Sequence, residues 1–166
     1  MKDVRPTSGR VISALFSILG NFEADKKFLD LFAGTGRVGL EALKRGAGQC
    51  VFVESVKARA EAIKKFSGEN IVLALEVRRA LSWLIKREMK FDVIFADPPY
   101  NSGWTEIFPA LPNLTKIFET DAIFILEHSI REPVKLNNNP NNLEIISTRE
   151  YGETALTFIK FSCGYP

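Results

Sequence analysis

Lys27–Gly39 reads KFLDLFAGTGRVG. Phe28, Leu29, Leu31 and Phe32 form a short apolar run broken only by Asp30, as in a strand buried on both faces. Ala33-Gly34-Thr35-Gly36 turns the chain. Val38, Leu40, Ala42 and Leu43 then open an amphipathic helix expected to run to about Arg45 and stop at Gly46. A strand, a glycine turn and a helix start aim free backbone N–H groups and a positive helix end at a ligand. Gly34, Gly36 and Gly39 match G-x-G-x-x-G. Glu54 closes the next apolar stretch, VFVE, about 20 residues on, where a ribose-binding acid is expected. The pattern points to an adenosine-type cofactor on a Rossmann-like sheet and leaves the chemistry open.

A chain of 166 residues suits one domain with a real core, and a net charge of +2 is too small to diagnose a partner. No apolar run has the length of a membrane span, and MKDVRPTSGR has no signal-peptide hydrophobic region. Cys50 and Cys163 lack metal spacing, so reduced thiols, no metal and a cytoplasmic setting are expected. Residues 1–22 read as an N-terminal segment with a helix over Arg10–Leu19, capped by Thr7 or Ser8 and stopped by Gly20. Residues 27–166 read as the core of the same domain. Strands are expected at Gln49–Glu54, Ile71–Leu75 (extending to Val77), Phe91–Ala96 and Ala122–Glu127. Helices are expected at Val56–Phe66 and Ala80–Lys86, with weaker ones at Trp104–Leu111 and Leu114–Phe118. On the helix after VFVE, Ala58, Ala62, Ile63 and Phe66 are assigned to the buried side and Arg59 to solvent. Leu143–Arg149 and Ala155–Phe161 flank Tyr151-Gly152-Glu153 as a terminal hairpin. This is an α/β pattern: a mostly parallel, seven-stranded sheet with a C-terminal antiparallel hairpin and helices on both faces.

The fourth strand runs into Asp97-Pro98-Pro99-Tyr100, where prolines end the ladder at the strand's carboxyl end. Ligands of open parallel sheets collect there. Asp97 and the Pro98 carbonyl form a pair of acceptors suited to an exocyclic NH₂, and Tyr100 offers a face for a heterocycle. Such an amino group is a poor nucleophile. Accepting both its hydrogens from one side turns its lone pair toward an electrophile, and a sulfonium methyl is strong enough. Glu54 is suited to ribose hydroxyls and Asp30 to an ammonium group.

On these residues the sequence resembles the S-adenosylmethionine-dependent methyltransferases. Within them it is similar to the bacterial family that methylates the guanine 2-amino group of small-subunit ribosomal RNA. The resemblance spans most of the chain: RPTSGRVISALFSIL, FLDLFAGTGRVGLEALKRGA, VFVE, FDVIFADPPY, ILEHS and REYGETALTFI. It implies S-adenosylmethionine over Gly34–Gly36 and Glu54, with Asp30, Phe32, Ala33 and Thr35 beside it. The target base would lie between Asp97-Pro98 and Tyr100, unstacked from its RNA. The implied partner is ribosomal RNA, within a small ribosomal subunit or its assembly intermediate, and a monomeric enzyme is expected.

Three places depart from the family. Only Met1–Val4 precede Arg5 where a basic β-hairpin is usual, which moves the expected RNA contacts to Arg5, Arg10 and Arg37. Arg79-Ala80 replaces an Asp-Ala pair whose acid takes the adenine amino group. Ile12-Ser13 stands where Arg-Glu is common. Trp104 either leans on the target nucleotide or packs its helix. His128 is read as structural, and Arg78-Arg79 as a solvated helix face. The rival readings are a DNA adenine-N6 methyltransferase, a nicotinamide-dependent oxidoreductase and a non-catalytic S-adenosylmethionine-binding protein.

Overall fold

The computed structural model describes residues 8–161; Arg5, Thr7 and Cys163 lie outside the described residues. Seven strands, β1 (Lys27–Leu31), β2 (Gln49–Val53), β3 (Ile71–Leu73), β4 (Phe91–Ala96), β5 (Phe118–Ser129), β6 (Leu143–Tyr151) and β7 (Thr154–Phe161), form one sheet. Their order is β3-β2-β1-β4-β5-β7-β6. The first five are parallel, and β7 runs antiparallel between β5 and β6. The chain leaves β1 for β2 and β3 on one side, then crosses to β4 on the other. The switch point therefore lies between the ends of β1 and β4.

Helices α1 (Gly9–Leu19), α2 (Arg37–Lys44) and α3 (Lys57–Lys64) cover one face; α4 (Val77–Lys86) and α5 (Trp104–Ala110) cover the other. Strand alternation divides β1 between the two layers. Leu29 and Leu31 pack toward α4 and α5, while Phe28 packs toward α1 and α2. Asp30 shares the parity of Phe28 and is buried on that second side. The Ser8 hydroxyl caps α1 by accepting the Val11 N–H (3.3 Å), and Gly20 ends it at φ 74°.

Several expected boundaries move. Strand β3 stops at Leu73, and Val77 begins α4. Val77, Ala80, Leu81 and Leu84 are the buried stripe of that helix, so the apolar residue that lengthened the expected strand is the helix's first core contact. Helix α3 ends at Lys64 and buries Ala60 and Ile63, leaving Ala58, Ala62 and Phe66 exposed. The stripe is turned because Arg59, expected outside, reaches inward to a buried acid. Strand β5 starts at Phe118, four residues early, through an irregularity opposite Phe91–Val93 and a left-handed Asp121 (φ 63°). The weak helix after Pro112 is one 3₁₀ turn over Leu114–Ile117.

Gly39 carries the contact between α2 and β2. A methyl group there would overlap the Phe52 ring and lie 2.7 Å from Cys50 Sγ. Gly39→Ala gains up to about 1 kcal/mol of helix propensity but overpacks a filled core, at about 1–3 kcal/mol. Urea unfolding is expected to show net destabilisation; an unchanged or higher midpoint would contradict this packing.

Candidate active site

At the end of β1, Phe32 turns into the left-handed region (φ 67°), an uncommon conformation for an aromatic residue. Gly34 (φ 56°) and Gly36 (φ 78°) continue the turn. Three glycine N–H groups here do not point free, as the glycine pattern suggests. Gly34 N–H donates to Glu54 Oε2 (2.9 Å), Gly36 N–H to the Ala33 carbonyl (2.7 Å) and Gly39 N–H to Asp30 Oδ2 (3.0 Å). Asp30 thus caps α2 from within the neighbouring strand, where the helix has no side-chain cap of its own. Glu54 Oε1 accepts from Val56 N–H (2.7 Å) and from Arg59 Nη2 (2.9 Å). Sequence reasoning missed Arg59. Its signal was position: five residues past a buried acid, on the next helix.

Burial pushes the Asp30 carboxyl up to about 7; the Gly39 N–H opposes this, and Asp97 and Glu54 add to it. A buried acid at the start of α2 repels the pyrophosphate that a dinucleotide would place there. With Gly34 and Gly36 N–H groups already engaged, the loop suits a cation better than an anion.

On the other side of the switch point, Asp97 is half-buried, Pro98 is buried and Tyr100 is exposed. The Tyr100 hydroxyl hydrogen-bonds Thr154 Oγ1 (2.8 Å), and Asn101 N–H donates to Glu132 Oε2 (2.7 Å). The terminal hairpin is therefore a wall of the site, a role the sequence reading did not give it. Trp104 packs edge-on against Phe32 (5.2 Å between centroids) and at a tilt against Phe108 (4.6 Å), with the Arg78 guanidinium 5.7 Å from its ring. Arg78 is exposed, as the solvated-face reading expects, and also lines the cavity. His128 is buried: Nε2 bonds Thr157 Oγ1 (2.7 Å) and Nδ1 meets the Ser129 carbonyl (2.8 Å), in keeping with its structural reading.

One cavity of about 950 Å³ spans the two sides of the switch point. Its walls include Asp30, Phe32, Ala33, Gly34, Thr35, Arg37 and Glu54 from the glycine-loop side. Asp97, Pro98, Tyr100, Trp104 and Thr154 come from the other, with Glu127 between β4 and the hairpin. Gly36 lies just behind the lining, where a Cβ would press on Ile63 Cγ1 (3.1 Å). Arg10 is exposed on α1, and Arg79 is exposed outside the lining. Leu75, Glu76, Val77 and Arg78, at and just before the start of α4, line the cavity there instead. The residues fit S-adenosylmethionine: a glycine turn that admits close approach, an acid at the ribose position, and a buried acid suited to a cationic group.

Asp30 also makes a stability prediction. Its carboxyl binds a proton more readily folded than unfolded, so unfolding releases a proton between about pH 4 and 7. Its stabilising contribution is complete below that window and is lost as the pH rises through it. Asp30→Asn keeps an acceptor for Gly39 without the charge. Relative to the wild type, this variant is expected to be more stable at pH 8 than at pH 5, by on the order of 1 kcal/mol or more. Equal differences at both pH values in urea unfolding would contradict the buried-acid account.

A family model described as "Conserved hypothetical protein 95" matches residues 1–160. The "Putative rRNA methyltransferase YlbH" of Bacillus subtilis is 32% identical over 163 residues, covering 94% of this chain and 87% of its own. A "Ribosomal RNA small subunit methyltransferase D" of Buchnera aphidicola is 29% identical over 140 residues, covering 82% and 73%. Among solved structures, "Putative methyltransferase yhhF from Escherichia coli" superposes with a TM-score of 0.76 at 26% identity, covering 94% of this chain and 87% of its own. With this match over nearly its whole length, and a cavity fitted to the cofactor, the chain belongs to the conserved hypothetical protein 95 family of S-adenosylmethionine-dependent methyltransferases.

Proposed function

We propose that the protein methylates the exocyclic 2-amino group of a guanine in small-subunit ribosomal RNA. The observation that carries this reading is one cavity joining the Asp30–Gly34–Glu54 wall to Asp97, Pro98 and Tyr100. The names of its relatives in Bacillus subtilis and Buchnera aphidicola support ribosomal RNA as the substrate.

S-adenosylmethionine supplies an electrophilic methyl group when bound. Glu54 and the glycine turn would hold its ribose, and Asp30 would balance the charge of its cationic part. Asp97 and the Pro98 carbonyl accept the two amino hydrogens of the base, which favours a pyramidal nitrogen with its lone pair directed outward. Tyr100, steadied by Thr154, stacks on the unpaired base. Asp97 would take the one proton that the methylated nitrogen must lose and pass it to solvent. Arg37, in the cavity lining, would contact phosphate together with Arg10 and Arg5 of the sequence reading, and Trp104 stands on the base side beside Pro98 and Tyr100. A monomer acting in the cytoplasm fits this substrate.

The test uses S-adenosylmethionine with a labelled methyl group and small-subunit RNA or particles, followed by nucleoside analysis. Label in N2-methylguanosine is expected. Label in N6-methyladenosine would replace the guanine reading, and the absence of transfer to either RNA or particles would remove it. Asp97→Ala should slow single-turnover transfer by at least ~10²-fold at saturating cofactor while leaving cofactor affinity unchanged. A wild-type rate in that variant would sink the role of Asp97.

A further inference from the structure

The geometry points to Glu127 as the residue that selects guanine, by accepting its N1–H beside the Asp97–Pro98 pair. This rests on the guanine reading above and adds to it the residue that sets base specificity. Strands β4 and β5 are in register, with Phe95 opposite Ile125 and Ala96 opposite Leu126. The next rung sets Glu127 level with Asp97, one strand away, or about 4.8 Å. Alternation then orients both. Phe95 and Ile125 pack on the α1 face and Ala96 and Leu126 on the opposite one, so Asp97 and Glu127 return to the α1 side. Asp30 lies on the same side, one strand further along. Glu127 is only 4% exposed, and it lines the cavity with Asp97, Pro98 and Tyr151.

Its neighbour His128 faces the other way, toward Thr157. Of the three polar residues in ILEHS, Glu127 is the one that lines the large cavity. A metal role does not fit: among the described residues, no three His, Cys, Asp or Glu side chains gather as an ion would require.

The chemistry of the base follows the same layout. Guanine presents N1–H and N2–H₂ side by side, all donors, whereas adenine presents an acceptor at N1. A carboxylate only accepts, and its two oxygens have capacity for more than one donor. With the 2-amino group at Asp97 and Pro98, an acceptor one strand over is placed for N1–H. Adenine in the same pose would set its N1 lone pair against a carboxylate. Sites built on a required hydrogen bond reject the analogue that lacks it far more strongly than sites built on shape.

The test compares guanine with 2-aminopurine, which keeps the 2-amino group but has an N1 lone pair in place of N1–H. The modified nucleotide is located in wild-type reactions by mass spectrometry, and RNA carrying either base at that position is then assembled. Single-turnover rates are measured at saturating cofactor for the wild type, Glu127→Gln and Glu127→Asp, alongside melting temperature and cofactor calorimetry. The wild type is expected to prefer guanine by at least ~10²-fold. Glu127→Gln can donate to an N1 lone pair and should narrow that preference by at least about tenfold, with cofactor affinity unchanged. Glu127→Asp, still an acceptor, should slow guanine transfer without gaining on 2-aminopurine.

A wild-type preference near unity, or one unmoved by Glu127→Gln, would overturn the assignment while N2-methylguanosine still forms. Should Glu127→Gln fail to fold, the wild-type ratio and the Glu127→Asp variant decide it. No N2-methylguanosine from the wild type would instead overturn the guanine reading itself.

Discussion

The hydrogen bond from Gly34 N–H to Glu54 Oε2 (2.9 Å), with its counterpart from Gly39 N–H to Asp30 Oδ2 (3.0 Å), ties the glycine loop and the start of α2 to the ends of β1 and β2. A loop with several left-handed residues has an entropic and steric cost. Two carboxylates, both nearly inaccessible to solvent, hold it in one shape. Arg59 completes the arrangement by partnering Glu54 from α3. Around a loop so fixed, the neighbouring strands need only end at the right level, and the parallel register of β1 with β4 brings Asp97 to the same rim.

The same bonds shape the electrostatics. In a dinucleotide-binding loop the N–H groups wait for phosphate, whereas here acids within the chain take those of Gly34 and Gly39. The cavity then carries Asp30, Glu54, Asp97 and Glu127 on its walls. Low local dielectric strengthens their attraction for a cation and their repulsion of an anion. A sulfonium cofactor and a base that presents only donors on the reacting edge are complementary to such a surface.

Much of this was legible in the sequence, because secondary structure and chemistry coincide in single stretches. LFAGTG is both the strand end and the cofactor turn, and FADPPY is both a buried strand and its proline-stopped acid. What could not be read required a partner from elsewhere in the chain. Arg59 lies on a helix whose pattern alone favours burying Ala58 and Ala62; only the presence of Glu54 beneath it turns the stripe. Glu127 becomes a cavity residue through its register with β4, which local pattern does not encode. Thr154 reaches Tyr100 because the hairpin folds back beside β5. Val77 fits either a strand or a helix by apolar spacing, and the α4 core contacts decide for the helix.

An acid-braced glycine loop of this kind binds a cationic adenosyl cofactor and not a dinucleotide. Calorimetric titration with S-adenosylmethionine, S-adenosylhomocysteine and NAD, at pH 6 and pH 8 in buffers of different ionisation enthalpy, tests it most directly. Asp30 titrates near 7, so a cation bound beside it favours the ionised form and displaces a proton. One-to-one binding of S-adenosylmethionine is predicted, tighter at pH 8 than at pH 6 and accompanied by proton release at pH 6, with a pH effect of the same sign for the product, which loses the sulfonium charge but keeps its ammonium group, and no binding of NAD. NAD binding with comparable affinity, or S-adenosylmethionine binding indifferent to pH, would contradict the account.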